Sequence, residues 1–331
     1  MLAEEYIAYI SKVRRYSGRT REIYSAVLGD FVEYSASEAG VPPGRIADDV
    51  LLSFMVPSVI RSYEVYLVGV RDDDPRTVNL HLSVLSGFCR WLMKQGRLNS
   101  NPVRTVARPK TEKRLPVFYR DESMEEYFAS TDCDASEENL ELITGHDKAS
   151  EAAYSRRLAR LVVSMLYGTG IRRSELISLR ISSMDFARRV LKVHGKGDKM
   201  REIPVVPSLC QELSLYLQAV TRMEGRERTL DEPLLVTVKG RQLYPVFVDR
   251  TVKGELGGIG SITGRKSPHV LRHSLATELL NEGTDLNSIK ELLGHSSLAA
   301  TQVYTHNSIE KLKKVYVNAH PRAKSGGKNG D

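Results

Sequence analysis

The 331 residues are 41% hydrophobic and 27% charged, enough chain for two ordinary domains that each bury a core. No apolar run approaches ~18 residues, so no membrane span is expected. Cys89, Cys133 and Cys210 stand far apart with neither a CxxC pair nor a His at zinc spacing, which argues against a disulfide framework and a structural metal.

The formal net charge of +7 makes an anionic partner, nucleic acid first, a reasonable expectation. The opening MLAEEYIAYI lacks the basic start of a signal peptide, so a soluble, cytoplasmic protein is expected. Over residues 1–100 only helical periodicity is found. Ile23, Tyr24, Val27, Leu28, Phe31 and Val32 recur at helical spacing, and Pro57 followed by VIRSYEVYL predicts a helix with Pro in its first turn. A stripe of Val78, Leu82, Leu85, Phe88, Trp91 and Leu92 starts near Thr77 as N-cap and stops at Gly96.

The texture then changes. RLNSNPVRTVARPKTEKRLP has turn-like prolines, no periodic apolar face, and the cations Arg104, Arg108, Lys110, Lys113 and Arg114 against Glu112, so 101–116 reads as an extended basic linker. Residues 121–151 reverse the charge, with eleven acids against Lys148; a tolerated surface loop kept away from DNA phosphates is expected there. A second domain is expected over 117–318. YSRRLARLVVSMLYGTG predicts a helix ending at Gly168 or Gly170, and RVLKVHGKGDKMREIPVV predicts a β-hairpin around a glycine-rich turn. Helices are expected at 207–222 and from about 269 to 317, and a disordered tail over 319–331. The chain is therefore expected to be mainly α with a small β-sheet.

Six residues of the second domain together fit metal-free phosphoryl transfer to a tyrosine. Arg172 stands at a helix start, Lys196 at the hairpin tip, His269 and Arg272 three apart on one helix, His295 after a helix end, and Tyr304 nine residues later. Taken singly, each is an ordinary charge, turn residue or packed ring. Taken together, two guanidiniums can clamp the charge that grows on a phosphodiester under attack, in place of a metal. A phenol with a pKa near ~10 needs a proton acceptor, which a His supplies near neutral pH, and a Lys can protonate the leaving oxygen. No cofactor and no metal are expected.

TGIRRSEL, HGKGDKMREIPV, SPHVLRHSLATELLNEG, ELLGHSSLAATQVYTH, NAHPRA and RTVNLHLSVLSGFCRWLMKQGRLNSNPV are all similar, in order and spacing, to segments of the tyrosine recombinase family, and within it to the bacterial Xer recombinases. The resemblance covers most of the chain. It implies a helical core-binding (SAM-like) DNA-binding domain over 1–100 and an α+β catalytic domain over 117–318, closed as a clamp on duplex DNA. It implies Tyr304 as nucleophile, Arg172 and Arg272 holding the phosphate, and His269 assisting the tyrosine. Lys196 is implied as general acid and His295 as a hydrogen-bond donor to the phosphate. Glu175 is implied to support Arg172, while His273 and His306 are expected to pack. Base reading is expected from the 76–95 helix through Arg76, Asn79 or His81, with Arg104, Arg108, Lys110, Lys113 and Arg114 on the DNA backbone. With helical core-like sequence from the first residues, no additional arm-binding domain is expected. The stripe Ile309, Leu312, Val315 and Tyr316 is implied to join neighbouring protomers of a homo- or hetero-tetramer on two DNA sites. A type IB topoisomerase-like enzyme and a non-catalytic architectural DNA-binding protein are the alternatives. The complete set of six residues weighs against the architectural protein, and the two-domain resemblance with its apolar C-terminal helix weighs against the topoisomerase.

Overall fold

The computed structural model describes residues 1–42, 44–111, 118–195 and 200–294. The chain divides into two compact units, Met1–Arg114 and Leu115–Asp331. Among the described residues helices dominate and the sheet has three strands, as the sequence leads one to expect.

The first unit contains helices α1 (Leu2–Lys12), α2 (Gly18–Glu38), α3 (Asp48–Ser53), α4 (Pro57–Gly69) and α5 (Pro75–Lys94). Tyr6, Phe31, Tyr63, Phe88 and Trp91 are buried at its centre, their rings in tilted, edge and stacked contacts 5–6 Å apart. Helix α1 crosses α5 closely at Gly87, where an added β-carbon would stand 2.7 Å from the Tyr6 hydroxyl oxygen. The N-cap of α5 is Asp74 and not Thr77: its carboxylate accepts the Thr77 N–H at 2.7 Å. Pro75 follows at the first helical position, where a missing N–H costs nothing. The helix ends at Gln95, and Gly96 takes the left-handed φ of 68°.

The expected linker starts later than its composition suggests. Asn101 caps a short 3-10 turn, Pro102–Thr105, and Val103 and Val106 are buried in the helical core. Two valines three residues apart form an apolar face too short to stand out among the cations. Beyond them the chain stays tied to α5: Asn79 Nδ2 donates to the Pro109 carbonyl at 3.0 Å, and Arg108 Nη1 donates to Ser83 Oγ at 2.9 Å.

The second unit is built around α9 (Lys148–Thr169), whose C-terminal half is buried on every side. A helix apolar all round belongs at a core, and α11 (Pro207–Glu224), α12 (Pro245–Glu255) and α13 (Pro268–Asn281) pack on it. Between α10 (Arg173–Ser178) and α11 runs an antiparallel sheet of β1 (Met184–Asp185), β2 (Val190–His194) and β3 (Met200–Pro204). Its register pairs Val190 with Pro204 and His194 with Met200. Helix α14 (Leu286–Leu293) is the last described element, capped by Asp285, whose carboxylate accepts the Asn287 and Ser288 N–H groups.

The acidic stretch is not a surface loop. It forms α6 (Asp121–Ser130), α7 (Asp132–Ala135) and α8 (Glu137–Glu141), with Met124, Tyr127, Leu140 and Ile143 buried in the main core. Two buried arginines of α9 hold it. Arg157 Nε donates to Asn139 Oδ1 at 3.0 Å, and Arg160 Nη1 donates to the Phe128 carbonyl at 2.9 Å. Most of its acids are exposed, while Met124, Tyr127, Leu140 and Ile143 turn in.

Candidate active site

Helix α9 ends on Gly170, in the left-handed conformation at φ 61°, and two residues later Arg172 opens α10 as its N-cap. Glu175, at the third position of α10, turns back to accept the Arg172 backbone N–H at 2.7 Å and its Nη1 at 2.9 Å. This is one half of a capping box, the carboxylate at the third helical position accepting the N-cap N–H; the arginine side chain, which has no acceptor, adds a second donor instead. Glu175 is buried, whereas the Arg172 side chain keeps about a third of its surface.

A second guanidinium completes the carboxylate. Arg201, on β3 and 7% exposed, donates Nη1 and Nη2 to the two oxygens of Glu175 at 3.0 and 2.8 Å, a bidentate pair. Arg272, buried on α13, donates Nη1 to the Gly170 carbonyl and Nη2 to the Leu293 carbonyl, both at 2.5 Å. The C-terminus of α14 is the meeting point. Its carbonyls at Leu292, Leu293 and Gly294 receive Arg201 Nε (3.1 Å), Arg272 Nη2 and Arg172 Nη2 (3.2 Å) in turn. Helix-end carbonyls lack intrahelical donors and carry the negative end of the dipole, so three cations are well placed there.

Burial pushes Arg272 down to about 10, with Arg172 and Arg201 adding repulsion, yet it stays protonated at neutral pH. Burial alone would raise Glu175, but hydrogen bonds from Arg201 and Arg172 outweigh it and hold the carboxyl below the usual carboxylate range. Among the described residues three guanidiniums, Arg172, Arg201 and Arg272, gather around one carboxylate, Glu175, in a largely buried place, a concentration of cations that suits an anion such as a phosphodiester.

His269 lies one turn before Arg272 on α13 and is exposed. His273 is exposed too, so the packing expected of it is not found; the outer face of α13 is simply solvated there. Lys196, His295, Tyr304 and His306 lie outside the described residues, as do Lys113, Arg114 and the 309–317 stripe. Arg76, Arg104, Arg108 and Lys110 are exposed, and Asn79 is half-buried against Pro109. His81 is not available for reading bases. It is buried, its Nδ1 2.9 Å from the Tyr63 hydroxyl and its Nε2 3.9 Å from Asp30. The residue that sequence reasoning missed is Arg201. Strand alternation puts it on the same inward face as Ile203, and a cation at an inward strand position calls for a buried carboxylate.

Among the described residues no three His, Cys, Asp or Glu side chains are grouped to hold a metal ion. No helix of the described residues is long and apolar enough to cross a membrane.

Residues 135–311 match the phage integrase family. The chain is 34% identical over 330 residues to tyrosine recombinase XerC of Chlorobaculum parvum, covering 97% of this chain and 94% of that protein. It is 39% identical over 257 residues to tyrosine recombinase XerC of Bacillus licheniformis, covering 76% and 77% of the two chains. Among solved structures, XerH site-specific recombinase bound to a palindromic difH substrate aligns with a TM-score of 0.62 at 20% identity, over 99% of this chain and 84% of that one. The Tn1549 transposon integrase in complex with circular intermediate DNA aligns at 0.60 and 18% identity, over 94% and 98%. These two likenesses concern the fold.

The family match over more than half of the chain, together with the 34% and 39% identical relatives, places the two-unit architecture and its clustered arginines among tyrosine recombinases. The chain belongs to the phage integrase family, as an Xer-like tyrosine site-specific recombinase, an enzyme that cuts and rejoins DNA.

Proposed function

We propose that this recombinase cuts through a 3′-phosphotyrosyl intermediate formed by Tyr304. The observation that supports this most is the convergence of Arg172 and Arg272 on the end of α14, immediately before His295. The Tyr304 phenol oxygen attacks the scissile phosphorus and the bond from phosphorus to the 5′ oxygen breaks. The phenol proton passes to His269, and Lys196 protonates the departing 5′ oxygen. Arg172 and Arg272 hold the non-bridging oxygens, where charge grows in the transition state, with His295 donating a further hydrogen bond. A 5′ hydroxyl from the partner duplex then attacks the phosphotyrosyl phosphorus and releases Tyr304.

On this reading the helical unit grips duplex DNA, helped by Arg76, Asn79 and the cations Arg104, Arg108, Lys110, Lys113 and Arg114. Each neutralised phosphate adds salt-dependent affinity. Residues 1–100 form the core-binding domain, 101–116 the basic connection and 117–318 the catalytic domain. The apolar stripe over 309–317 joins protomers into a tetramer on two sites in the cytoplasm, serving chromosome-dimer resolution, and with it partition at cell division, or a mobile element.

A nicked duplex carrying the site mapped by genomic footprinting traps the covalent intermediate. Wild type is expected to yield a protein–DNA adduct and Tyr304→Phe none, while both bind the site. Binding without any adduct from wild type, or cutting by Tyr304→Phe, overturns the reading. Plasmid relaxation with no recombined product would instead indicate topoisomerase-like activity.

A further inference from the structure

We infer that Arg201 is a positioning residue for strand cleavage, acting through Glu175 to keep the Arg172 guanidinium aimed at the phosphate. The inference rests on the role proposed above for Arg172. The geometry around Glu175 is closed: Oε1 accepts Arg172 Nη1 at 2.9 Å and Arg201 Nη1 at 3.0 Å, and Oε2 accepts the Arg172 backbone N–H at 2.7 Å and Arg201 Nη2 at 2.8 Å. Four donors fill the roughly four lone-pair directions of a carboxylate, so each arginine is oriented by the same group.

The two arginines are not equivalent. Arg172 is the outward one, with 36% of its side chain exposed, and a long exposed guanidinium on its own samples several rotamers. Arg201 is the inward one, 7% exposed, and its Nε donates to the Leu292 carbonyl at 3.1 Å. It therefore bonds to α10 and α14 at once while belonging to β3, the strand that returns from the Lys196 hairpin. Gly294 confirms how tightly this is fitted. At φ 66° an added β-carbon there would stand 3.1 to 3.2 Å from three atoms of the Arg201 side chain. Arg201 itself points to protein partners and is not placed on the reacting phosphate. A lysine at 201 keeps the charge but cannot reproduce the planar fork on Glu175.

The test compares Arg201→Gln, Arg201→Lys, Glu175→Gln and Arg172→Gln with wild type. Affinity for the mapped site and the single-turnover rate of adduct formation on the nicked duplex are measured for each. For Arg201→Gln we expect site affinity within about twofold of wild type and cleavage slower by about 10²-fold, the size of loss that a small misplacement of a charge clamp produces. Arg201→Lys should recover part of the rate. The double variant Arg201→Gln/Glu175→Gln should be no slower than the worse single variant, since both act on one contact chain. A wild-type rate in Arg201→Gln, or rate losses that multiply in the double variant, overturns the inference. If Arg201→Gln does not melt cooperatively, Arg201→Lys carries the same comparison, and a wild-type rate there overturns it equally. If Arg172→Gln cuts as well as wild type, the assignment of Arg172 is what fails; if Arg172→Gln is crippled and Arg201→Gln is not, only the role of Arg201 fails.

Discussion

Leu293 places its Cδ2 2.6 Å from where a β-carbon on Gly170 would stand, so the end of α9 and the end of α14 meet with no room for a side chain. Gly170 also has the φ of 61° that L-residues avoid, and its carbonyl accepts Arg272. Gly170→Ala should therefore destabilise the second unit by roughly 2–5 kcal/mol, from a left-handed alanine and an overpacked leucine together. Urea denaturation measures this; a midpoint equal to wild type would mean that α14 moves aside at no cost.

The three clustered guanidiniums beside Glu175 predict stabilisation by anions. Arg272 is held down to about 10, first by burial and then by Arg172 and Arg201, so an anion that pairs with these cations relieves part of their cost. Sulfate should raise the melting temperature of wild type more than chloride at equal ionic strength, by about 2.7 kcal/mol of stabilisation once its concentration reaches about 100 times its Kd. Sulfate also strengthens burial generally, so Arg172→Gln is the control. Equal sulfate shifts in both proteins would show that the cluster does not bind the anion. In cleavage assays, Arg272→Gln should lose about 10²- to 10³-fold in rate while retaining DNA affinity.

Glu278 on α13 predicts a pH dependence of stability. Its carboxyl is raised to about 8, first by burial, which prevails over the hydrogen bond donated by Tyr167 at 2.7 Å, while Asp121 and Glu282 add smaller upward pushes. The native state then holds a proton that the unfolded chain, with an ordinary value of 4.5, has released. Between those two values the native state binds more protons, so this group's contribution falls as pH rises and is fully lost above about 8. Glu278→Gln removes that slope. Its melting temperature should change less than that of wild type between about pH 5 and about pH 8.5, and should exceed it at the alkaline end. Parallel curves for the two proteins would count against a shared proton at this position.

How far the site could be read in the sequence depends on whether its contacts are local. Arg172 and Glu175 are three residues apart at a helix start, and that spacing alone suggests their pairing. Arg201 meets Glu175 across 26 residues, on a strand short enough that one inward cation looks like a turn-flanking charge. His81 looked like a polar residue on an exposed helix, and only the packing of α4 against α5 puts the Tyr63 hydroxyl against it. Thr77 gave way to Asp74 as N-cap because the proline between them fits the first helical turn. At Arg201 and His81 the missing information is a partner brought in by tertiary packing, which periodicity along the chain does not carry.

Arg157 makes the same point for the acidic segment. It is fully buried on α9, burial lowers its pKa, and besides Asn139 it donates to the carbonyls of Ala135 and Ser136 between α7 and α8. Arg157→Leu removes these donors but also removes a desolvated cation, and the two effects oppose one another. Ala135 and Ser136 are partly exposed, so water can replace the lost donors there, and the net change in global stability should be within about 2 kcal/mol. The local consequence is larger: amide exchange across 132–143 should quicken by at least about tenfold, because the segment then opens independently of the core. Arg157 precedes Gly170 by 13 residues of helix, about 20 Å along its axis, so adduct formation should stay near the wild-type rate. Unchanged exchange would show that the buried Leu140 and Ile143 side chains hold the segment alone. A fall in cleavage with an intact melting transition would instead tie the acidic helices to catalysis.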